Sequence, residues 1–311
     1  MSLDAILDHI DNDLENSIAR LMDLMRIESI STDPDYAEDC KAAAEWLVND
    51  LNSIGFDAEI RVTSGHPMIM ATGGAGTTHT LFYGHYDVQP VDPLSLWDNP
   101  PFEPSLEENK NGSVIRGRGA SDDKGQLMTF IEACRAFKAV KGALPLKISI
   151  FFEGEEESGS PSLIPYMTEY AEELKADIAL ICDTGMVERN TPSIVTMLRG
   201  MVSQEITIKG PNKDLHSGMY GGPSINPIRV LTKALASLHD DNGAVTLDGF
   251  YDAVPELPEQ IINQWNNLDF DENQFLSEVG LSIPAGEKGR SILEQIWSRP
   301  TAEVNGIWGG Y

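Results

Sequence analysis

The sequence predicts an α/β protein: a helix-covered, mostly parallel sheet forms a first domain, and a smaller α+β unit follows it. Three observations carry that expectation. Short apolar strands alternate with amphipathic helices over residues 1–195. Two of the strands, LKISIFFEG from Leu146 and ADIALICD from Ala176, are nearly all apolar, as strands buried on both faces are. The length of 311 residues, at roughly 150 per domain, suggests about two domains.

Element by element, Ile6, Ile10, Leu14, Ile18, Leu21 and Met22 recur at helical spacing and predict one helix from Leu3 to about Met25. A second amphipathic helix is predicted over Ala37 to Leu51. AEIRV from Ala58, PMIMAT from Pro67 and THTLFYG from Thr78 read as strands separated by Gly, Ser and Thr turns. Helical spacing returns from Gln126 to Val140, before the strand at Leu146, and again from Leu163 to Leu174, before the strand that ends at Asp183. From residue 196 the pattern changes. LRGMVSQEITIKG, from Leu198, reads as a half-exposed strand of alternating character, and Ile225 to Leu238 as a helix. Asp240 to Gly289 reads as loops and short helices, so the expected boundaries are 1–195 and 196–311.

Composition narrows the function classes. Hydrophobic residues at 41% can fill a core, which excludes disordered and fibrous chains. Lys and Arg number 22 against 49 Asp and Glu, a net charge of −27 that repels a phosphate backbone or an anionic membrane. Neither nucleic acid nor membrane is therefore expected as a partner. Cys40, Cys134 and Cys182 form no CxxC pair and no disulfide framework, and the acidic N-terminal segment lacks the character of a signal peptide. A reducing cytoplasm is the expected location.

In open α/β sheets ligands bind beyond the carboxyl ends of the strands. There the sequence places His85 and Asp87 after THTLFYG, Glu153 and the run Glu155, Glu156, Glu157 after KISIFF, and Asp183 after ADIALIC. Asp122 and Asp123 occupy the Gly-rich loop GRGASDDKG just before a helix. Any one of these clusters alone reads as a solvated acidic loop. Together, beside one imidazole, they form the donor set that divalent metals such as zinc prefer.

Five motifs in order, GHYDVQP at Gly84, GRGASDDKGQ at Gly117, EGEEESGS at Glu153, Asp183 and DLHSGMYGG at Asp214, resemble the signature of the carnosinase-type metallopeptidase family. That family includes cytosolic non-specific dipeptidase, carboxypeptidase G, acetylornithine deacetylase and succinyl-diaminopimelate desuccinylase. GHYDVQP and LWDNPPFEP are most similar to the dipeptidase branch. The resemblance implies two divalent ions, most often Zn2+ with Mn2+ or Co2+ as alternatives. His85 would bind one, Asp122 would bridge both, and Glu157 and Asp183 would complete the two sides. It makes Glu156 the general base, Asp87 the partner that sets the tautomer of His85, and His216, on a lid domain, the donor that polarises the scissile carbonyl. A cis bond between Asp122 and Asp123 is typical of the family.

Expected partners are a small peptide or an N-acyl amino acid as substrate, and a second copy of the chain, paired through the lid. The family pattern also includes further lid strands, a lid arginine and a second histidine ligand, none found before Tyr311. Both domains are thus expected to be incomplete at the C-terminus. Dipeptide hydrolysis is the leading expectation, impaired in a chain without the second histidine ligand and the rest of the lid. Deacylation by the same chemistry and a non-catalytic binding protein on a degenerate peptidase fold are the alternatives, and Glu156 speaks against the latter because a structural metal needs no base.

Overall fold

The computed structural model describes residues 3–109, 112–187 and 191–310. The chain divides into two compact units, 1–191 and 192–311. In the first, α1 (Asp4–Asn12) and α2 (Leu14–Met25) precede α3 (Ala37–Ser53), β1 (Asp57–Arg61), β2 (Met68–Gly73) and β3 (His79–His85). A hairpin of β4 (Ser105–Asn109) and β5 (Gly112–Arg116) leads to α4 (Lys124–Lys141), β6 (Lys147–Glu153), α5 (Leu163–Glu169) and β7 (Ile178–Ile181).

The sheet order is β1-β2-β6-β3-β7. β6, β3 and β7 pair in parallel, whereas β2 is antiparallel to both β1 and β6, so only β2 runs against the common direction. Alternation along the strands divides the side chains between two faces. Ile69, Phe82, Ile150 and Phe152 join Leu24, Leu47, Leu51, Leu127 and Ile131 of the helices in the main core. On the other face Met68, Met70 and Phe151 pack with Tyr166 of α5. The carboxyl ends of the parallel strands therefore share one rim of a rigid sheet.

Several expectations need correction. The helix predicted from Leu3 to Met25 is two helices, broken at Asp13 (φ −103°). Asp13 accepts from the Asn16 and Arg20 side chains there, the local side-chain bonding that makes short polar residues poor helix interiors. The helix expected from Leu163 to Leu174 ends at Glu169. The strand at Ala176 is not buried on both faces: β7 is an edge strand, with Ile181 62% exposed. The β4–β5 hairpin escaped the sequence reading, although Asn111-Gly112 is a hairpin signal.

The second unit holds α6 (Ser217–Tyr220), α7 (Pro227–Ala236), α8 (Glu259–Asn266), α9 (Glu272–Glu278) and α10 (Ile292–Trp297). Its described residues contain no strand, only an isolated bridge between His239 and Val245. The strand expected from Leu198 to Gly210 is irregular, with Leu198 87% and Met201 91% exposed. A strand needs a neighbour to bond and side chains to pack against, and this stretch pairs with none among the described residues. No helix among the described residues is long and apolar enough to cross a membrane.

Candidate metal centre

β3 delivers His85 to the sheet rim, in register with Glu153 of β6, and the chain leaving β7 brings Asp183. The start of α4 reaches the same place because Gly84 has no side chain. A Cβ there would lie 2.3 Å from Leu127 Cδ2 and 2.7 Å from Asp123 Oδ2. This close approach lets Asp123 Oδ2 accept the His85 backbone N–H at 3.2 Å. The expected cis peptide between Asp122 and Asp123 is present.

His85 Nε2 stands 3.2 Å from Asp122 Oδ1 and 3.7 Å from Asp183 Oδ2. The ligand atoms of these residues all lie within 4.8 Å of one another. His85 is completely buried, and its Nε2 has no hydrogen-bond partner. A buried polar atom without a partner is costly, and an imidazole nitrogen flanked by two carboxylates is the donor set of a divalent cation. The residues fit a metal. At the other ring nitrogen, Nδ1 lies 3.2 Å from the Asp87 carbonyl oxygen and 3.4 Å from Asp87 Oδ1, which turns Nε2 towards the acids.

Asp87, itself fully buried, organises the next loop. Its Oδ1 accepts from the Glu156 backbone N–H at 3.3 Å, and its Oδ2 from the Glu157 N–H at 3.0 Å and the Ser31 hydroxyl at 2.6 Å. One carboxylate thus holds the imidazole and the turn carrying Glu156 and Glu157. Glu157 lies outside the trio of His85, Asp122 and Asp183: its Oε2 accepts from Gln89 Nε2 at 2.6 Å. His216, in the second unit, is exposed and stands at the N-cap position of α6 without a side-chain capping bond.

His66 and His79 bond to Ser31 O and Ser149 Oγ, and His239 joins a backbone bridge. Ser31, Lys124 and Gly84 also act at the site, and no local sequence signal marks their roles. Gln89 lies inside GHYDVQP, and its bond to Glu157 is a role that only the folded chain shows.

Charges around the trio shift one another. Burial disfavours the His85 cation, yet the hydrogen bond and charge of Asp87, with Asp123 and Glu156, push its pKa up to about 10. Burial raises Asp123 to about 7 against the pull of His85. Burial also raises Glu156 and Glu157: His85 opposes both, neighbouring acids reinforce both, and Gln89 opposes the shift at Glu157. So many acids at one rim, around a buried imidazole, repel each other unless a cation lies among them.

The model of Peptidase family M20/M25/M40 matches residues 81–310. The Cys-Gly metallodipeptidase dug1 of Schizosaccharomyces pombe is 30% identical across 100% of this chain and 68% of its own length. Human Beta-Ala-His dipeptidase is 30% identical over 79% of this chain and 48% of its own. Among solved structures, the di-peptidase Dug1p of Saccharomyces cerevisiae superposes with a TM-score of 0.76 at 27% identity, covering 100% of this chain and 68% of that one. The M20 metallo-carboxypeptidase Sso-CP2 of Sulfolobus solfataricus superposes with a TM-score of 0.77 at 31% identity, over 95% and 66% of the two chains. With the family profile spanning most of its length and the trio standing at the rim of its sheet, the chain belongs to peptidase family M20/M25/M40.

Proposed function

We propose that the protein hydrolyses dipeptides, with Glu156 as general base beside a metal centre of His85, Asp122 and Asp183. As a member of this family it is a metallopeptidase using divalent metal. The observation that carries the reading is the buried, unpartnered Nε2 of His85 between two carboxylates, with Glu156 pinned nearby through Asp87.

Bound there, divalent cations would supply a Lewis acid for the scissile carbonyl and lower the pKa of the attacking water. Two ions, zinc with manganese or cobalt as alternatives, suit the surplus of acids. Asp122, with two carboxylate oxygens, would help hold them beside His85 and Asp183, and Glu157 would serve as a further ligand in place of its bond to Gln89. Glu156 takes a proton from the water and passes it to the leaving amine; its raised pKa brings it nearer the pH at which such exchange works best. Asp87 fixes the His85 ring so that Nε2 faces the metal.

In this reading residues 1–195 are the catalytic domain and residues 196–311 a lid that pairs two copies. His216 is the donor that polarises the substrate carbonyl. Free cysteines and the acidic charge favour a cytoplasmic enzyme without nucleic-acid or membrane partners. Peptide and N-acyl substrates need the same chemistry, and the dipeptidases among the relatives favour the former.

The purified protein should cleave Cys-Gly or β-Ala-His, lose that activity to a chelator and regain it with Zn2+, Mn2+ or Co2+. Preference for N-acetyl amino acids would replace the reading with a deacylase. Metal binding without turnover of either substrate class would replace it with a binding protein.

A further inference from the structure

We infer that residues 24–31, the end of α2 and the segment after it, hold the metal-binding loops in place, with Ser31 and Lys124 as positioning residues; this rests on the metallopeptidase reading. The segment lies at the first helical hairpin and contributes no ligand. It nevertheless bonds to the loop after His85 and to the start of α4 beside Asp122.

Lys124 is the first residue of α4, directly after Asp122 and Asp123, and is fully buried. A cation at a helix N-terminus opposes the helix dipole, and burial costs a charge its hydration. Its Nζ donates to the carbonyl oxygens of Leu24 at 3.1 Å and Ile27 at 2.7 Å, which also accept the backbone N–H groups of Ile27 and Ser29. Lys124 therefore acts across the fold, tying the Asp122–Asp123 turn to the end of α2.

The same segment grips the loop after β3. Ser29 Oγ donates to the Tyr86 carbonyl at 2.7 Å, and the Val88 N–H donates to Ser29 O at 2.9 Å. Two residues on, the Ser31 hydroxyl donates to Asp87 Oδ2 at 2.6 Å. Ser31 is held in turn, its carbonyl 3.1 Å from His66 Nε2. The backbone of His66 donates to Glu155 Oε1 at 2.9 Å, in the loop that carries Glu156 and Glu157.

Asp87 depends on Ser31 in a specific way. With Ser31 gone, Oδ2 would keep one hydrogen-bond donor, the Glu157 N–H, in a site without water access. The carboxylate could then turn, and both its hold on His85 Nδ1 and its seat for the Glu156 turn would loosen. Partners standing behind metal ligands are typically worth about 10–100-fold in metal affinity.

Co2+ titration of the chelator-treated protein, followed by visible absorption and calorimetry, tests this. Ser149 serves as control: it is 1% exposed and bonds to His79 at the opposite end of β3. Ser31→Ala should raise the Co2+ Kd at least about tenfold and alter the cobalt spectrum, with Ser31→Thr restoring both. Ser149→Ala should lower the melting temperature while leaving Kd and spectrum as in the wild type. Lys124→Met should act in the same direction as Ser31→Ala, and should it fail to fold, the serine variants decide. Equal Co2+ affinity in wild type and Ser31→Ala, or equal losses from the two serine variants, would overturn the positioning role. A wild-type protein that binds no Co2+ would overturn the metallopeptidase reading, and the inference with it.

Discussion

β3 begins and ends on histidine, and its two ends differ in what they leave unsatisfied. At His79 the ring bonds to Ser149 Oγ at 2.7 Å, and Asp177 Oδ2 accepts the His79 backbone N–H at 2.8 Å. Histidine, hydroxyl and acid are all present, but their bonds close on one another. At His85 one ring nitrogen is bonded and the other is left bare among acids, inside the protein. The residue types at the two ends overlap, so composition alone does not separate structure from site. The unfilled valence does.

The sharpest way to break this contrast is to alter the proton acceptor at the rich end. Glu156→Gln should lower kcat by about 10²–10⁴ while metal content stays near wild type. Glu157→Gln should show the opposite balance, losing metal more than turnover. Metal analysis beside steady-state kinetics distinguishes them, and matched losses of metal in both variants would make Glu156 a ligand instead.

A smaller effect is expected from pH. The folded-state pKa of Asp123, about 7, and that of His85, about 10, both lie above their ordinary values. Each group therefore stabilises the metal-free fold fully below its unfolded pKa, and that contribution is lost as pH rises through 7 and then 10. A cation on His85 Nε2 needs the ring proton gone, and the negative charge of a deprotonated Asp123 close by favours the cation. At a hundredfold excess over Kd, metal should add about 2.7 kcal/mol, or about 5–10 °C in melting temperature, near pH 8. The gain should shrink towards pH 5.5, as scanning calorimetry with and without chelator would record. A gain independent of pH would place the metal away from these groups.

The smallest effect belongs to the other end of the strand. His79→Gln should cost about 1–3 kcal/mol, the price of leaving the buried Ser149 hydroxyl poorly paired. Metal affinity and kcat should stay unchanged. A loss of metal on altering His79 would erase the distinction between the ends.

Much of this rim was legible in the sequence because strand ends are where apolar runs stop, and the acids after Gly84 and Phe152 fall there. The Asp122–Asp123 turn was legible as a Gly-rich loop before a helix. β7 misled because an apolar run reports what could be buried, and its position at the sheet edge is decided by strands elsewhere in the chain. Residues 198–210 misled for a related reason: alternation states a capacity for pairing, and pairing is a property of two segments. Ser31 was invisible because the residue that gives it meaning, Asp87, lies 56 positions away and no local pattern links them.

Gly84 carries a further consequence. It offers no ligand, acid or hydrogen-bonding side chain, yet the space its missing Cβ leaves is the space through which Asp123 meets the His85 backbone. What fits at such a position is limited by volume. Even alanine, the mildest replacement for almost any exposed residue, would drive a wedge between strand and helix. Ranked by mutational sensitivity, this featureless residue would stand among the charged ones, and a catalogue of reactive groups would overlook it.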